Sequence, residues 1–167
     1  MISNSDIYRN PSPLASGVNK NKYIELENLM EKWSTIAGNW ADEIIKEFPY
    51  RALSGYSNIS RTIHDVIVDP KKIVGSNHPA YYGKTWRDFL SSGKKIKRSI
   101  NYYSRNPNYY GSTPQLNQNY KHWCLAKIGE EYYICGGGNN RSVVAKYLAQ
   151  EQSLDKQYIP ELILIDQ

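Results

Sequence analysis

The sequence predicts an α+β fold, a compact domain with a small mixed sheet and an added N-terminal helix. Apolar residues near the N-terminus recur at three- and four-residue spacing, which is typical of a helix with one buried face. Short β-branched and aromatic segments bounded by glycine or proline indicate strands farther along. A second helical pattern lies between two of those strands. The chain has 167 residues, a length that suits one domain.

The N-terminal region is predicted to contain an arm, a helix and a loop. Residues 1–21 are rich in Asn, Ser and Pro and indicate a flexible arm. An apolar stripe over Lys22–Phe48 predicts a helix that packs on the core, with Gly38 as its weak point. Pro49 is expected to end this helix because proline cannot continue it. Turn residues over 50–61 predict a loop.

The middle of the chain predicts one strand, one helix and a long loop. Residues 62–69 are rich in β-branched side chains, among them Ile63, Val66 and Val68, and indicate a strand that Pro70 closes. A helix is predicted to begin at Lys84, and the basic segment Gly93–Tyr103 is expected to continue it. Residues 104–119 lack periodicity and are rich in Asn, Pro, Gly and Gln, so they predict a loop.

The last third predicts a hairpin, a helix and a closing strand. Strands are expected at His122–Ile128 and Glu131–Cys135, joined by a turn at Gly129-Glu130. A helix follows from about Asn139 to Gln150, and Ile159–Ile165 is the predicted final strand. The expected organisation is therefore an arm (1–21), a helix and loop (22–61) and a domain (62–167).

Composition limits the function classes. The net charge of +5 is compatible with anionic partners, and tyrosine outnumbers phenylalanine 15 to 2. A ring with a polar tip suits half-wet interfaces and groove walls. The sequence contains no apolar run long enough to span a membrane, and the N-terminus lacks the apolar stretch of a signal peptide. A cytoplasmic protein without a membrane partner is therefore expected.

The cysteines and histidines do not form a recognisable metal motif. Cys124 and Cys135 fall in neighbouring predicted strands, where a disulfide is conceivable, but free thiols are the expected state. His64, His78 and His122 have no ligand-like spacing. No metal site is predicted from these residues.

The segment between the hairpin and the last helix has the composition of an anion site. Its residues are Gly136, Gly137, Gly138, Asn139, Asn140, Arg141 and Ser142. Glycines let the backbone approach a ligand, and the first N–H groups of a helix have no acceptor within the helix. These N–H groups and the planar fork of Arg141 suit a phosphate. The alternatives are that Asn139, Asn140 and Ser142 only cap the helix and that Arg141 forms a structural salt bridge.

This segment resembles the ParB/sulfiredoxin superfamily. The matching positions are Gly138-Asn-Asn-Arg141, Ala145 in the following helix, Ile159-Pro160 at the closing strand, and the first strand over 62–69. The resemblance covers about residues 62–166 and implies a loop that holds the phosphates of a nucleotide. Superfamily members use CTP or ATP, and some plasmid members are described as DNA nucleases, so ATP or CTP with Mg²⁺ are the expected cofactors.

The chain departs from the family in two places. The reactive cysteine of sulfiredoxins is replaced here by Asn139 and Asn140, so the reduction of a sulfinic acid is not expected. The helix-turn-helix domain of chromosomal partition proteins is also not expected, because the sequence stops at Gln167, directly after the final strand.

Two residues are candidates for catalysis. Arg141 would stabilise phosphate charge. Asp65 lies where many family members carry an acidic residue and would position a metal ion or water, since hydrolysis or phosphoryl transfer needs a carboxylate near the phosphates. The alternative for Asp65 is a solvated side chain on a strand.

A basic segment rich in tyrosine is the candidate nucleic-acid contact. Its residues are Lys94, Lys95, Lys97, Arg98, Tyr102 and Tyr103. Cations neutralise phosphates and aromatic faces stack on bases. A solvated basic face is the alternative. These tyrosines, and Tyr132, Tyr133 and Tyr147 near the glycines, are expected to border one cleft.

The leading hypothesis is therefore a domain that binds the phosphate of a nucleotide or nucleic acid, with nuclease, nucleotide hydrolase or phosphotransferase activity as the enzymatic form. Two alternatives remain open. One is a non-catalytic interaction protein of phage or plasmid type that keeps the fold and binds a protein partner. The other is a nuclease toxin domain.

Overall fold

A computed structural model describes residues 20–50, 60–93, 95–113 and 122–165. Within these ranges the helices are α1 (Lys20–Ile36), α2 (Trp86–Ser92), α3 (Ile96–Arg105) and α4 (Asn139–Gln150). The strands are β1 (Lys46–Glu47), β2 (Ser60–Val68), β3 (Ile73–Ser76), β4 (Cys124–Ile128), β5 (Glu131–Gly137) and β6 (Gln157–Ile165). The predicted α+β fold is confirmed.

The six strands form one mixed sheet in the order β1-β3-β5-β4-β6-β2. The antiparallel hairpin of β4 and β5 lies at its centre, and the predicted turn at Gly129-Glu130 is confirmed. Strand β3 runs parallel to β5, and β6 runs parallel to β4. Strand β2 pairs antiparallel with β6. The central hairpin therefore delivers the glycine segment to the middle of the sheet.

The predicted continuous helix over Lys22–Phe48 is wrong, because α1 ends at Ile36. Gly38 is extended, with φ −74° and ψ −179°, and a 3₁₀ turn follows at Asn39–Asp42. Glycine is a poor helix former, and the next residues find backbone partners elsewhere. The Ile45 N–H donates to the carbonyl of Lys84 at 2.8 Å, and β1 then pairs in parallel with β3.

The basic segment forms a separate helix rather than continuing the one before it. Thr85 caps α2 in a reciprocal capping box with Asp88, which explains the start of that helix. The chain leaves the helical path at Gly93, and α3 begins at Ile96. Ile96 and Ile100, one turn apart, are fully buried and fix α3 on the core.

The core is centred on α4, whose residues from Ser142 to Ala149 are all buried. A helix that is buried on every side lies inside its domain rather than on the surface. Trp33 of α1 stacks on Tyr147 of α4, with ring centroids 5.7 Å apart. Trp33 and Trp86 are almost completely buried. The N-terminal helix is therefore built into the same core as the sheet.

Some predicted segments lie partly or wholly outside the described residues. They are 1–19 of the arm, 51–59 of the first loop and 114–119 of the second loop. Lys20 and Asn21, assigned to the arm, belong to α1. Across the described ranges, the helices are all too short or too polar to cross a membrane.

Candidate functional site

The glycine segment joins β5 to α4 with two residues in the left-handed region. Gly136 has φ +89° and Gly138 has φ +88°. Gly138 is the N-cap of α4 and supplies no side-chain cap. The first helical bond runs from the Ser142 N–H to the Gly138 carbonyl at 2.8 Å. The N–H groups of Asn139, Asn140 and Arg141 therefore come before the first N–H that has an acceptor within the helix, as at other anion sites of helix N-termini.

Packing accounts for two of the three glycines. A Cβ atom on Gly138 would overlap the indole ring of Trp123, and one on Gly137 would overlap the carbonyl of His122. A Cβ atom on Gly136 would meet open space. The loop therefore rests directly on the residues that precede β4, and Gly136 is its exposed glycine.

Trp123 organises the base of this site. Its ring lies under Gly138, and its Nε1 donates to the hydroxyl of Ser142 at 2.9 Å. Both side chains are completely buried. Ser142, predicted to bind a ligand, is thus placed with its hydroxyl in the core, and its side chain fixes the tryptophan instead.

Arg141 lies on the outer side of the same tryptophan. Its guanidinium carbon is 5.3 Å from the ring centre of Trp123, and Nη1 donates to the hydroxyl of Tyr109 at 3.4 Å. The residue is only half-buried. A cation held against an aromatic ring loses little conformational freedom when it binds an anion.

The two asparagines have different environments. Asn139 accepts a hydrogen bond from the hydroxyl of Ser76 at 2.7 Å, which ties the start of α4 to the end of β3. The same hydroxyl accepts from the N–H of His78 at 3.1 Å. Asn140 is half-buried at the first turn. Asn139 therefore positions the turn, and neither asparagine is the N-cap, because that position belongs to Gly138.

Tyrosines connect the basic helix to this site. Tyr102 packs edge-on against Tyr109 at 4.5 Å, and Tyr103 packs against Tyr110 at 5.7 Å. Tyr110 in turn lies edge-on to Trp123 at 6.1 Å. Tyr109 and Tyr110 are only 4% and 7% exposed. The rings therefore pack on one another. Tyr109 and Tyr110 have almost no surface left for a base, whereas Tyr102 and Tyr103 are half-buried.

The tyrosines expected on the other side of the cleft are elsewhere. Tyr147 is completely buried in the core. Tyr133 packs edge-on against Phe48 at 5.7 Å, and Lys127 lies 5.8 Å from the ring centre of Tyr132. The expectation that Tyr147 borders a common cleft is wrong, because the apolar residues of α4 carry it inward.

The basic residues lie toward the opposite end of α3. Lys95 and Lys97 are exposed, Arg98 is half-buried, and Lys94 lies outside the described residues. Lys97 precedes Tyr102 by five residues, about 7.5 Å along a helix. These cations therefore lie at the start of α3, about one and a half turns before Tyr102.

Asp65 is not brought to the glycine segment. It lies on β2, and strands β6 and β4 separate β2 from β5, a spacing of about 14 Å. Asp65 has φ +57° and accepts a hydrogen bond from the hydroxyl of Tyr158. This bond raises the pKa of Tyr158 to about 12. The expectation that Asp65 holds water or metal at the loop phosphates is corrected by this distance.

Sequence reasoning missed three residues around the loop. Trp123 supports it from below, Asn77 contacts Cys135 and Gly136, and Glu161 lies across the sheet from Cys124. Glu161 was detectable as an acidic residue in an otherwise apolar strand. Trp123 was detectable as a tryptophan opening a strand, since a buried indole N–H needs an acceptor.

Among the described residues, no three His, Cys, Asp or Glu side chains come together as metal ligands. No protein-family model, curated protein or solved structure matches the chain.

Proposed function

We propose that the chain binds a phosphate-bearing ligand, a nucleotide or the backbone of a nucleic acid, at the surface made by Gly136, the first turn of α4 and Arg141. The observation that carries this proposal is the position of Arg141. Its guanidinium carbon lies 5.3 Å from the ring centre of Trp123, the residue is half-buried, and it belongs to the first turn of α4, whose N–H groups come before the first N–H with an acceptor within the helix. The resemblance to the ParB/sulfiredoxin superfamily, in which this loop holds nucleotide phosphates, supports it.

The chemistry of the surface favours binding over catalysis. Backbone N–H groups, the positive end of the α4 dipole and a fixed guanidinium all stabilise negative charge. Hydrolysis or phosphoryl transfer also needs a group that positions water or metal, and Asp65 is separated from the loop by two strands. Phosphate binding is therefore proposed without assigning a catalytic base.

The test compares Arg141→Ala with Arg61→Ala, which removes the same charge from an exposed position on the edge strand β2. ATP, CTP, GTP and a short single-stranded oligonucleotide are titrated with and without Mg²⁺, following the rise in melting temperature and the heat of binding. Loss of a charged hydrogen bond lowers affinity by roughly tenfold to one-hundredfold, so Arg141→Ala should bind that much more weakly than wild type.

Arg61→Ala should bind like wild type apart from a small effect of net charge. Equal affinities of the two variants for every ligand would contradict the proposal. Binding that vanishes in both variants, with the fold intact by circular dichroism, would also contradict it, because it would show attraction to the overall charge rather than to the loop.

A further inference from the structure

Two cysteines meet at an irregularity of the central hairpin. Cys124 of β4 pairs with Gly137 of β5, whereas the next residue, Leu125, pairs with Ile134. Strand β5 therefore has two extra residues at this point, Cys135 and Gly136. Such a bulge re-aims side chains. Both cysteines are free thiols and both are half-buried.

The bulge sets the two thiols against each other. Their direct interaction raises the pKa of Cys124 and lowers that of Cys135 to about 7. The Asn77 side-chain amide donates to the sulfur of Cys135 at 3.6 Å and accepts from the Gly136 N–H at 3.4 Å. Asn77 therefore holds the bulge in place and offers a donor to a thiolate on Cys135.

Glu161 is the charged group nearest the pair in the sheet register. It lies on β6 at the register position of Cys124, and its charge raises the pKa of both cysteines. His64 of β2 is exposed at the register position of Glu161. Because Glu161 acts on both thiols, the difference between them comes from the donors to Cys135, which are the Asn77 amide and the Cys124 thiol. Cys135 is therefore the thiol that ionises first.

The spacing of the strands fits a disulfide. Cys135 lies in the bulge and does not face Cys124 directly, but the two residues are on neighbouring strands, which lie about 4.8 Å apart. Disulfides span Cα distances of about 4.4 to 6.8 Å. A bond between Cys124 and Cys135 therefore needs local adjustment at the bulge, while the two strands stay paired.

We propose that Cys124 and Cys135 form a redox-active dithiol that exchanges with small-molecule disulfides of the glutathione class. The Cys135 thiolate attacks one sulfur of glutathione disulfide, forming a mixed disulfide and releasing one glutathione thiolate. The Cys124 thiol then loses its proton and attacks the Cys135 sulfur, releasing the second glutathione. The balance is two protein thiols and one glutathione disulfide giving one protein disulfide and two glutathione thiols.

This site is distinct from the proposed phosphate surface, although the two are adjacent. The disulfide would join β4 to the residue immediately before Gly136, so the reaction changes the covalent anchoring of the glycine segment. The test requires no phosphate ligand, and its outcome is independent of whether Arg141 binds one.

The experiment incubates the full chain in glutathione buffers of increasing oxidised fraction and follows intact mass and peptide maps after alkylation. Wild type should lose two hydrogens and carry no glutathione. Cys124→Ser should accumulate glutathione on Cys135, because the resolving thiol is absent. Cys135→Ser should form a mixed disulfide at Cys124 only slowly near pH 7, since an ordinary thiol is only a few per cent thiolate there.

Alkylation of the wild-type chain keeps the test decisive even if a variant does not fold. Alkylation of Cys135 in the folded chain should rise with pH around a midpoint of about 7, and it should outpace alkylation of Cys124. Three results would overturn the proposal. They are alkylation of Cys124 that outpaces alkylation of Cys135 in wild type, a wild-type chain that retains glutathione without closing, and a Cys135 midpoint unchanged by unfolding.

Discussion

Helix α4 carries two cations that lie on tryptophan rings, five residues apart. The Nζ atom of Lys146 is 4.7 Å from the ring centre of Trp40 and 4.5 Å from that of Trp86, and the residue is 1% exposed. Arg141 lies on the single ring of Trp123 and is half-buried. One type of contact therefore occurs once in the core and once at the boundary with solvent.

Comparison of Lys146 with Arg141 shows that burial decides whether a cation on an aromatic ring is accessible to a ligand. Desolvation lowers the pKa of Lys146 to about 7, although the charges of Glu43 and Asp69 oppose the shift. Its amine donates to the carbonyl of Ile73 and has no route to a ligand. Arg141 carries a guanidinium, whose planar fork suits an anion, and the residue is half-buried.

The largest expected effect is on the pH dependence of stability, and it comes from the buried cation, Lys146. The ordinary pKa of lysine is 10.5, and that of folded Lys146 is about 7. Between these values the unfolded chain holds one more proton, so the free energy of unfolding should rise with pH, by up to about 1.4 kcal/mol per pH unit. Below about pH 7 Lys146 is protonated in both the folded and the unfolded chain, so the folded state carries the full cost of burying its charge. Lys146→Met lacks this proton and should give a flatter profile.

The measurement is urea denaturation of both proteins between about pH 6 and pH 10, where their difference in unfolding free energy should change by roughly 3–4 kcal/mol. Lys127→Met is the matched control, because Lys127 is half-buried beside a tyrosine ring. It should keep the wild-type pH dependence. Parallel profiles for wild type and Lys146→Met would show that Lys146 keeps its proton in the folded state.

The next largest effect tests how firmly the boundary site is built. Gly138→Ala forces a left-handed residue to carry a Cβ atom that overlaps Trp123, so it should lower the free energy of unfolding by about 3 kcal/mol. Gly136→Ala places alanine at nearly the same φ in open space and should cost about 1 kcal/mol. Guanidinium denaturation measures both.

This pair of variants separates backbone strain from packing. Equal losses of stability would mean that the contact between Gly138 and Trp123 contributes little. Trp123 would then not be a rigid support for Arg141 in the way that Trp40 and Trp86 support Lys146.

The smallest stability effect is expected at the half-buried cation, Arg141. Arg141→Ala removes a half-buried contact with one ring and a long hydrogen bond to Tyr109, so it should cost less than about 1 kcal/mol. The same denaturation series provides the value. A loss above about 2 kcal/mol would place Arg141 with Lys146 as a structural cation and remove the contrast between them.

The sequence predicted local features more successfully than the directions of side chains. Helix α4 begins and ends where the pattern placed it, because glycine marks its start and apolar residues fill its length. The sequence marks Gly38 as a weak point of the predicted helix, but it does not show that the helix stops before it. The residues after Gly38 leave the helix because β1 pairs with β3, a partner distant in sequence. Ser142 was assigned to a ligand, and only packing showed its hydroxyl under Trp123.

The sequence by itself determined the α+β class, the central hairpin and the glycine start of α4, because turn residues and apolar periodicity act over short distances. Tertiary structure alone decided that Asp65 lies two strands away from the loop, that Tyr147 is buried, and that Cys124 meets Cys135 at a bulge. These relations depend on strand order and register, which join residues far apart in the chain and leave no local pattern.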